Sequence, residues 1–339
     1  MTLTELTRHV IAGKHLGTQE AETAAHVILG GEASPIQIAA FLTALHARGE
    51  TPEELVGFAK VLRALAEPFD APNDMILDTC GTGGDHSGTF NISTAVAFVV
   101  AGAGVRVAKH GNRSVTSRCG SADVLQELGV NIDCSRAVME RALREVGICF
   151  LFAPAYHKAM RVVAEIRREL GFRTIFNMLG PLLNPARASH QLIGVFSQAC
   201  VEMHAQALKQ LGSKHALVVH GNDGLDEIST CDVTFAAELR GDKIEPMVLK
   251  PEDFGFARAT HEQLKGGSAQ ENAADILAIL GGHEGPKMDI VVLNAGAALY
   301  VAEKVNSIGA GIELAREAVR SGAALRKLEK LRKVASGEE

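Results

Sequence analysis

The densest group of reactive side chains lies at residues 76–94, Ile76-Leu-Asp-Thr-Cys-Gly-Thr-Gly-Gly-Asp-His-Ser-Gly-Thr-Phe-Asn-Ile-Ser-Thr94. An apolar run breaks into glycines and hydroxyls and then resumes as a helix, so the stretch reads as strand, loop, helix. Gly81, Gly83 and Gly84 allow backbone conformations that a side chain forbids and let amide groups approach a ligand closely. Asn91, Ser93 and Thr94 fall at the start of the following helix, where unpaired N–H groups and the positive dipole end attract an anion. The pattern predicts a phosphate cradle. It is not a dinucleotide fingerprint, because the third glycine position is His86 and the next strand ends in Lys109 rather than an acid. Nor is it a Walker loop, because Gly83 to Gly88 is followed by Thr89-Phe90 instead of Lys and a hydroxyl.

Two further loops carry chemistry. Lys109-His-Gly-Asn-Arg-Ser-Val-Thr-Ser117 sets two cations, an amide and three hydroxyls around Gly111. Lysine and backbone amides neutralise phosphate oxygens, and Asn112 can both donate and accept toward a polar substrate. Ser121 and Asp123 follow at the next helix start, Asp123 being equally readable as a first-turn charge. His220-Gly-Asn-Asp-Gly-Leu-Asp-Glu-Ile-Ser229 places Asp226 and Glu227 side by side after a strand. Adjacent loop carboxylates suit Mg²⁺, an oxygen-liganded ion usually shared with substrate phosphates. Acid–base catalysis and a plain solvated turn remain open for the pair. Cys80 and Cys119 lie beside these loops but lack an activating His, so a nucleophilic thiol is disfavoured.

These loops need a scaffold. The chain has 339 residues, 47% apolar and 22% charged, enough for two domains or one elaborated α/β domain. A formal net charge of -6 argues against nucleic acid or an anionic membrane as partner, so phosphate affinity must be local. No apolar run approaches the roughly 20 residues of a membrane helix and the N-terminus has no signal-like region, which predicts a cytoplasmic protein. Six scattered cysteines without a C-x-x-C pair predict neither a zinc site nor a disulfide framework.

Residues 1–70 read as helices: Ser34-Pro35 and Thr51-Pro52 are cap-then-proline starts, and Glu54 completes a capping box. Prolines 68 and 72 with Asn73-Asp74 mark a boundary near residue 70. Beyond it, strands at 75–80, 105–108 and 148–152 alternate with helices from about 91, 121 and 155 and over 136–146. Such alternation predicts a mainly parallel central sheet flanked by helices. More strands are expected at 191–196, 216–219, 234–237, 243–249 and 289–293, with 234–249 forming a hairpin, and a last amphipathic helix carries Leu325, Leu328, Leu331 and Val334. In open α/β sheets ligands bind beyond the carboxyl ends of strands, so the loops 81–94, 109–121 and 220–229 should converge.

Taken together, Gly81-Thr-Gly-Gly-Asp85, Asn91-Ile-Ser-Thr94, Lys109-His-Gly-Asn-Arg-Ser114, Arg173-Thr-Ile-Phe-Asn177 with Leu179-Gly-Pro-Leu-Leu-Asn-Pro185, and Asp223-Gly-Leu-Asp-Glu227 resemble the signature set of the anthranilate phosphoribosyltransferases. Gly30 to Phe41 is similar to that family's helical domain. The resemblance implies a helical domain at 1–70 that mediates homodimerisation and an α/β domain at 71–339, with part of about 165–190 packing on the helical domain. It implies transfer of phosphoribose from 5-phosphoribosyl 1-pyrophosphate to the amine of anthranilate, in tryptophan synthesis, with Mg²⁺.

By matching positions, Gly81, Gly84, Asp85, Thr89, Asn91, Ile92, Ser93 and Thr94 would hold phosphoribosyl pyrophosphate. Lys109, His110, Gly111, Asn112, Arg113, Ser114, Val115, Thr116, Ser117 and Ser121 would complete that site. Ser93, Asp226 and Glu227 would bind Mg²⁺, while Gly81, Asn112 and Arg167 would lie on the anthranilate path. No acid, base or nucleophile is assigned, since an aryl amine attacks as the free base at neutral pH. One departure is Tyr156-His157-Lys158, where many relatives carry His-His-Pro, which bears on the acceptor wall. The rivals are a pyrimidine nucleoside phosphorylase, whose lysine loop runs Lys-x-Ser-Gly-Arg and lacks the run His110 to Asn112, and a non-enzymatic nucleic-acid-binding paralogue, which the net charge opposes.

Overall fold

The computed structural model describes residues 1–72, 75–113 and 119–338. The N-terminal part is four helices: α1 (Leu3–Ile11), α2 (Thr18–Leu29), α3 (Pro35–Arg48) and α4 (Pro52–Leu65). Capping boxes start α1, α3 and α4, from Thr2, Ser34 and Thr51. Glu54 does more than cap α4. It is fully buried, pairs with Arg48 at 2.5 Å and accepts the Leu16 N–H at 2.9 Å, tying three segments of this part together.

The chain then runs through β1 (Leu77–Asp78), α5 (Ile92–Gly102), β2 (Val107–Gly111), α6 (Ser121–Glu127), α7 (Arg136–Glu145) and β3 (Ile148–Phe152). Next come α8 (Ala153–Tyr156), α9 (Arg161–Leu170), α10 (Ile175–Leu179), β4 (His190–Gly194), α11 (Ala199–Gln210) and β5 (His215–Gly221). The chain finishes with β6 (Thr234–Arg240), β7 (Lys243–Leu249), α12 (His261–Leu264), α13 (Ala269–Leu280), α14 (Pro286–Val301), α15 (Ile308–Arg320) and α16 (Ala323–Ser336).

The seven strands form one sheet in the order β3-β2-β1-β4-β5-β6-β7. The five strands from β3 to β5 are parallel, and the β6–β7 hairpin extends them antiparallel, as its turn Gly241-Asp242 predicts. Period two decides which side chain serves which core. Leu192, Leu217 and Val219 enter one apolar cluster, and their neighbours Ile193, Ala216 and Val218 enter the other. The first cluster holds α5, α14 and α16. The second holds α11 together with α2, α3, α4, α9 and α10, so the N-terminal helices share their core with one face of the sheet. Phe58 meets the Phe176 ring edge-on at 5.6 Å inside it.

Four expectations are corrected. Residues 289–293 are not a strand but part of α14, a helix buried without a break from Ile290 to Leu299. A β-branched run reads as a buried strand, but Pro286 in the first turn starts a helix, and Gly296 lets α15 approach so closely that a Cβ there would lie 2.7 Å from the Ile312 nitrogen. The strand expected at 75–80 pairs only over Leu77–Asp78, because the Asp78 carboxylate accepts the His110 N–H at 3.1 Å and replaces the ladder at that point. Conversely β2 continues to Gly111, so Lys109 and His110 are buried strand residues rather than loop residues. The helix expected from about 155 is broken at His157 (φ -112°, ψ 60°), and regular helix resumes at Arg161.

Candidate active site

The sheet order reverses around β1, which has β2 on one side and β4 on the other; in such sheets the crevice opens beyond the strand ends at that point. Glycines govern how closely the segments approach there. A Cβ on Gly194, at the end of β4, would lie 1.4 Å from the Asp226 carbonyl oxygen, and one on Gly81 would lie 2.9 Å from Asp226 Oδ2. The acidic loop therefore rests on both residues. Gly83 (φ +65°) and Gly84 (φ +74°) take the left-handed conformation, and the Gly83 N–H donates to Asp226 Oδ2 at 2.8 Å. Thr82 donates its N–H to the Gly194 carbonyl at 2.8 Å and accepts the Phe196 N–H on its hydroxyl at 3.1 Å.

The buried Lys109 ammonium donates to Ser93 Oγ at 3.1 Å and to the Thr79 carbonyl and hydroxyl oxygens at 3.4 Å. Glu227 sits at the start of α5, where the Ser93 backbone N–H and the Lys109 charge both favour its ionised form. Burial outweighs them. Asp226 and Glu227 are both held well above the usual carboxylate range, first by burial and then by the Asp85 charge, while Asp85 Oδ2 is buried with no hydrogen-bond partner. Three crowded carboxylates facing one lysine are an arrangement that a hard, oxygen-liganded divalent cation would relieve. The residues fit Mg²⁺.

Other expected residues are placed as follows. Asn91 is a brace: its Nδ2 donates to the Cys119 carbonyl at 3.1 Å, and its Oδ1 accepts from Asn272 at 3.0 Å. Ile92 points into the core, and Thr94 is buried with its hydroxyl unpartnered. Thr89 bridges to Lys265 beside the glycine loop. Gly111 has no room for a side chain, since a Cβ would lie 2.2 Å from Ser121 Oγ. Asn112 and Arg113 are exposed; Ser121 Oγ donates to the Asn112 carbonyl at 3.3 Å, and Arg113 pairs with Asp123 at 2.8 Å. Asp123 also accepts the Gly120 N–H at 2.9 Å, so it is a first-turn capping charge. Ser114, Val115, Thr116 and Ser117 lie outside the described residues. Burial pushes the Cys119 thiol up to about 11 and raises Cys80 further, which disfavours both as nucleophiles.

A second wall is built around α10. The half-buried Arg167 guanidinium lies 5.7 Å from the Phe176 ring centre, and its Nε has no partner. Arg168 is exposed and pairs with Glu165 at 3.1 Å. Among the described residues Arg167 makes no hydrogen bond or ion pair with Gly81 or Asn112, the other two residues expected on the anthranilate path. His110 and His157 pack edge to face at 5.3 Å. His110 Nδ1 lies 3.2 Å from the Gly180 carbonyl oxygen, its Nε2 is unpartnered, and neither His157 nitrogen makes a well-formed hydrogen bond. Burial lowers them to about 3 and about 4, so both rings are neutral at physiological pH.

Sequence reasoning missed the braces. Asn184 donates to Asp78 Oδ2 and to the Ala108 carbonyl, both at 2.7 Å, locking β1 to β2; burial still raises Asp78 to about 6. Asn294, inside α14, accepts the Ile228 N–H at 2.9 Å and donates to the Ile228 carbonyl at 2.8 Å, clamping the acidic loop. Arg173 donates to the Gly84 carbonyl while lying 4.3 Å from the Phe196 ring centre, joining the α10 wall to the glycine loop. The signal for Asn294 was a lone amide in an apolar run, and Arg173 lay in a motif with no role attached.

Comparison with known proteins points to one family. Residues 4–66 match the helical bundle domain of a glycosyl transferase family, and residues 73–325 match its a/b domain. An anthranilate phosphoribosyltransferase from Petrotoga mobilis is 50% identical over 95% of this chain and 94% of its own length. One from Rubrobacter xylanophilus is 51% identical over 98% and 97%. Among solved structures, the Thermus thermophilus anthranilate phosphoribosyltransferase superposes with a TM-score of 0.91 at 43% identity, over 97% of this chain and 99% of that one. The Saccharomyces cerevisiae enzyme in complex with PRPP and Mg also gives 0.91, at 28% identity over 99% and 98%. The same enzyme has been solved with 4-fluoroanthranilate.

Proposed function

The chain belongs to the anthranilate phosphoribosyltransferase family, and from that premise we infer that it transfers phosphoribose from 5-phosphoribosyl 1-pyrophosphate to the amine of anthranilate, releasing pyrophosphate. The observation that carries the reading at the level of the site is the crowd of Asp85, Asp226 and Glu227 facing Lys109 and the start of α5. The half-identical relatives favour it over a nucleoside phosphorylase or a nucleic-acid-binding paralogue.

Breaking the bond from ribose C1 to pyrophosphate leaves positive charge on the sugar and negative charge on the leaving group, so stabilising pyrophosphate is the main requirement. Lys109, the Gly84 N–H and the start of α5 are proposed to meet its anionic oxygens. Ser93, Asp226 and Glu227 would hold Mg²⁺, which when bound neutralises pyrophosphate charge. Of the remaining positions, Gly81, Gly84, Asp85, Thr89, Thr94, Lys109, His110, Gly111, Asn112, Arg113 and Ser121 are proposed to contact the donor through backbone or side chain. Asn91 and Ile92 contribute by shaping the start of α5. Arg167 is proposed to bind the anthranilate carboxylate and so orient the amine toward C1. No side chain is needed as nucleophile, and none is assigned.

The division at about residue 70, homodimerisation through the helical part and a cytoplasmic location complete the proposal. Ile11 and Ile36, 72% and 82% exposed on the helical part, support a partner surface there. No helix among the described residues is long and apolar enough to cross a membrane. The test is loss of anthranilate fluorescence on mixing the protein with anthranilate, phosphoribosyl pyrophosphate and Mg²⁺. A signal that does not depend on both phosphoribosyl pyrophosphate and Mg²⁺ would overturn the reading.

A further inference from the structure

Among the described residues, one group of three metal-ligating side chains brings its ligand atoms within 4.8 Å of one another, and it is not the carboxylate cluster: it is Asp223, Cys231 and His261. We propose that these three residues bind a borderline-soft divalent cation of the Zn²⁺ class, at a site separate from the Mg²⁺ site proposed above.

The ligand chemistry separates the two sites. Ser93, Asp226 and Glu227 offer only oxygen, which suits a hard ion, whereas a thiolate with an imidazole selects Zn²⁺ or Co²⁺ over Mg²⁺. His261 Nε2 stands 3.8 Å from Asp223 Oδ2. Tetrahedral zinc, with its ordinary bond lengths, separates ligand atoms by about 3.3–3.6 Å, so the group needs to close by no more than about 1.5 Å. Three protein ligands leave a fourth position for water, on the side where His261 is exposed.

The outer shell is formed. Ser229 Oγ donates to Asp223 Oδ2 at 2.7 Å and accepts the Cys231 N–H at 2.9 Å, so one hydroxyl fixes the carboxylate and the cysteine backbone together. The nearby Arg258 does not leave an uncompensated positive charge, because Asp232 and Glu252 pair with it at 3.1 and 2.6 Å.

A cation here would fasten two segments that line the candidate active site. Asp223 and Cys231 flank the Asp226-Glu227 loop, while His261 begins α12, whose end meets the glycine loop through the Phe90 N–H donating to the Leu264 carbonyl at 3.3 Å and the Gly266 N–H donating to the Gly88 carbonyl at 2.9 Å. Without a cation, the same residues would be a His261–Asp223 contact at 3.8 Å beside a free thiol.

Co²⁺ titrated into the full-length protein in excess Mg²⁺ distinguishes these states. One equivalent should produce a near-ultraviolet sulfur-to-cobalt band with tetrahedral visible bands, displaced by Zn²⁺. Cys231→Ala should abolish the sulfur band, His261→Ala should weaken Co²⁺ binding at least tenfold, and the double variant Asp226→Asn, Glu227→Gln should retain it. In the unmodified protein, Zn²⁺ should slow iodoacetamide labelling of Cys231 at least tenfold while leaving the half-buried Cys134 unaffected; this arm does not depend on any variant folding. No sulfur band in the parent, a band that survives Cys231→Ala, Co²⁺ binding lost only in the carboxylate double variant, or no protection of Cys231 would each overturn the proposal.

Discussion

The wall proposed to hold the donor and the wall around α10, proposed to take the acceptor, handle their polar groups differently. On the donor wall nearly every group is braced: Asn184 holds Asp78, Asn272 holds Asn91, Asn294 holds the backbone beside Glu227, and Lys109 has three oxygens around it. What is left under tension there is charge, on Asp85, Asp226 and Glu227. On the wall around α10 charge is scarce and partners are missing: His110 Nε2, both His157 nitrogens and Arg167 Nε are buried without well-formed hydrogen bonds. A charged donor needs a rigid frame that tolerates anions and a cation. A flat aromatic acceptor needs a dry slot whose few polar atoms await the ligand.

The largest expected effect breaks the donor side of that contrast. Replacing Asp226 by Asn together with Glu227 by Gln removes the charge tension, so the unliganded protein should unfold at higher urea concentration at pH 7. Mg²⁺-dependent kcat/KM should fall at least about a hundredfold, because several kcal/mol of transition-state charge stabilisation goes with the cation. Unchanged activity and an unchanged Mg²⁺ titration would remove these carboxylates from the metal site.

Asn294→Ala tests whether the bracing itself matters. It leaves the Ile228 N–H and carbonyl without their amide partner in a buried setting, at a cost of about 2–3 kcal/mol in unfolding free energy. The Mg²⁺ concentration for half-maximal rate should rise several-fold with the anthranilate KM unmoved. Stability loss with a normal Mg²⁺ dependence would make Asn294 a packing residue only.

Arg167→Ala is the corresponding change on the acceptor side. Loss of roughly 1–3 kcal/mol of charge-assisted hydrogen bonding should raise the anthranilate KM several-fold or more, with little change for phosphoribosyl pyrophosphate. Arg168→Ala, at an exposed position already paired to Glu165, should stay near the parent value. Steady-state kinetics with each substrate varied in turn decides it, and equal effects on both substrates would place the carboxylate clamp elsewhere.

The smallest effect sharpens the contrast through pH. His157 is lowered to about 4 in the fold, so the unfolded chain binds the extra proton first and stability falls as pH drops below the ordinary histidine value. Between pH 6.5 and 5.5 this one ring should cost about 1 kcal/mol. Asp78 works oppositely, since an acid raised to about 6 stabilises the fold at low pH and loses that contribution as pH rises through 6. Urea unfolding of His157→Gln across this window should show a shallower loss on acidification than the parent. An identical slope would mean that His157 is solvated or paired.

The local signals in the sequence were sufficient for the helix starts at Ser34 and Thr51, the β6–β7 hairpin, the glycine turn and the order of the motifs, because each depends on residues within a few positions of one another. Periodicity failed at α14 for a physical reason: an element buried on every side has no polar face, so a β-branched run reads the same as strand or helix until its neighbours are known. The same limit hid the end of β1, where a side chain from Asp78 takes over a ladder bond. The braces were out of reach altogether. Asn184 meets Asp78 across 106 positions, and Asn272 meets Asn91 across 181. The residue types that line the candidate site were legible from the chain alone, because phosphate, cation and carboxylate recognition each need particular groups. Which of those groups are held fixed and which are left unpaired was set by the assembled fold, because a hydrogen bond between distant segments exists only once the sheet has set their spacing.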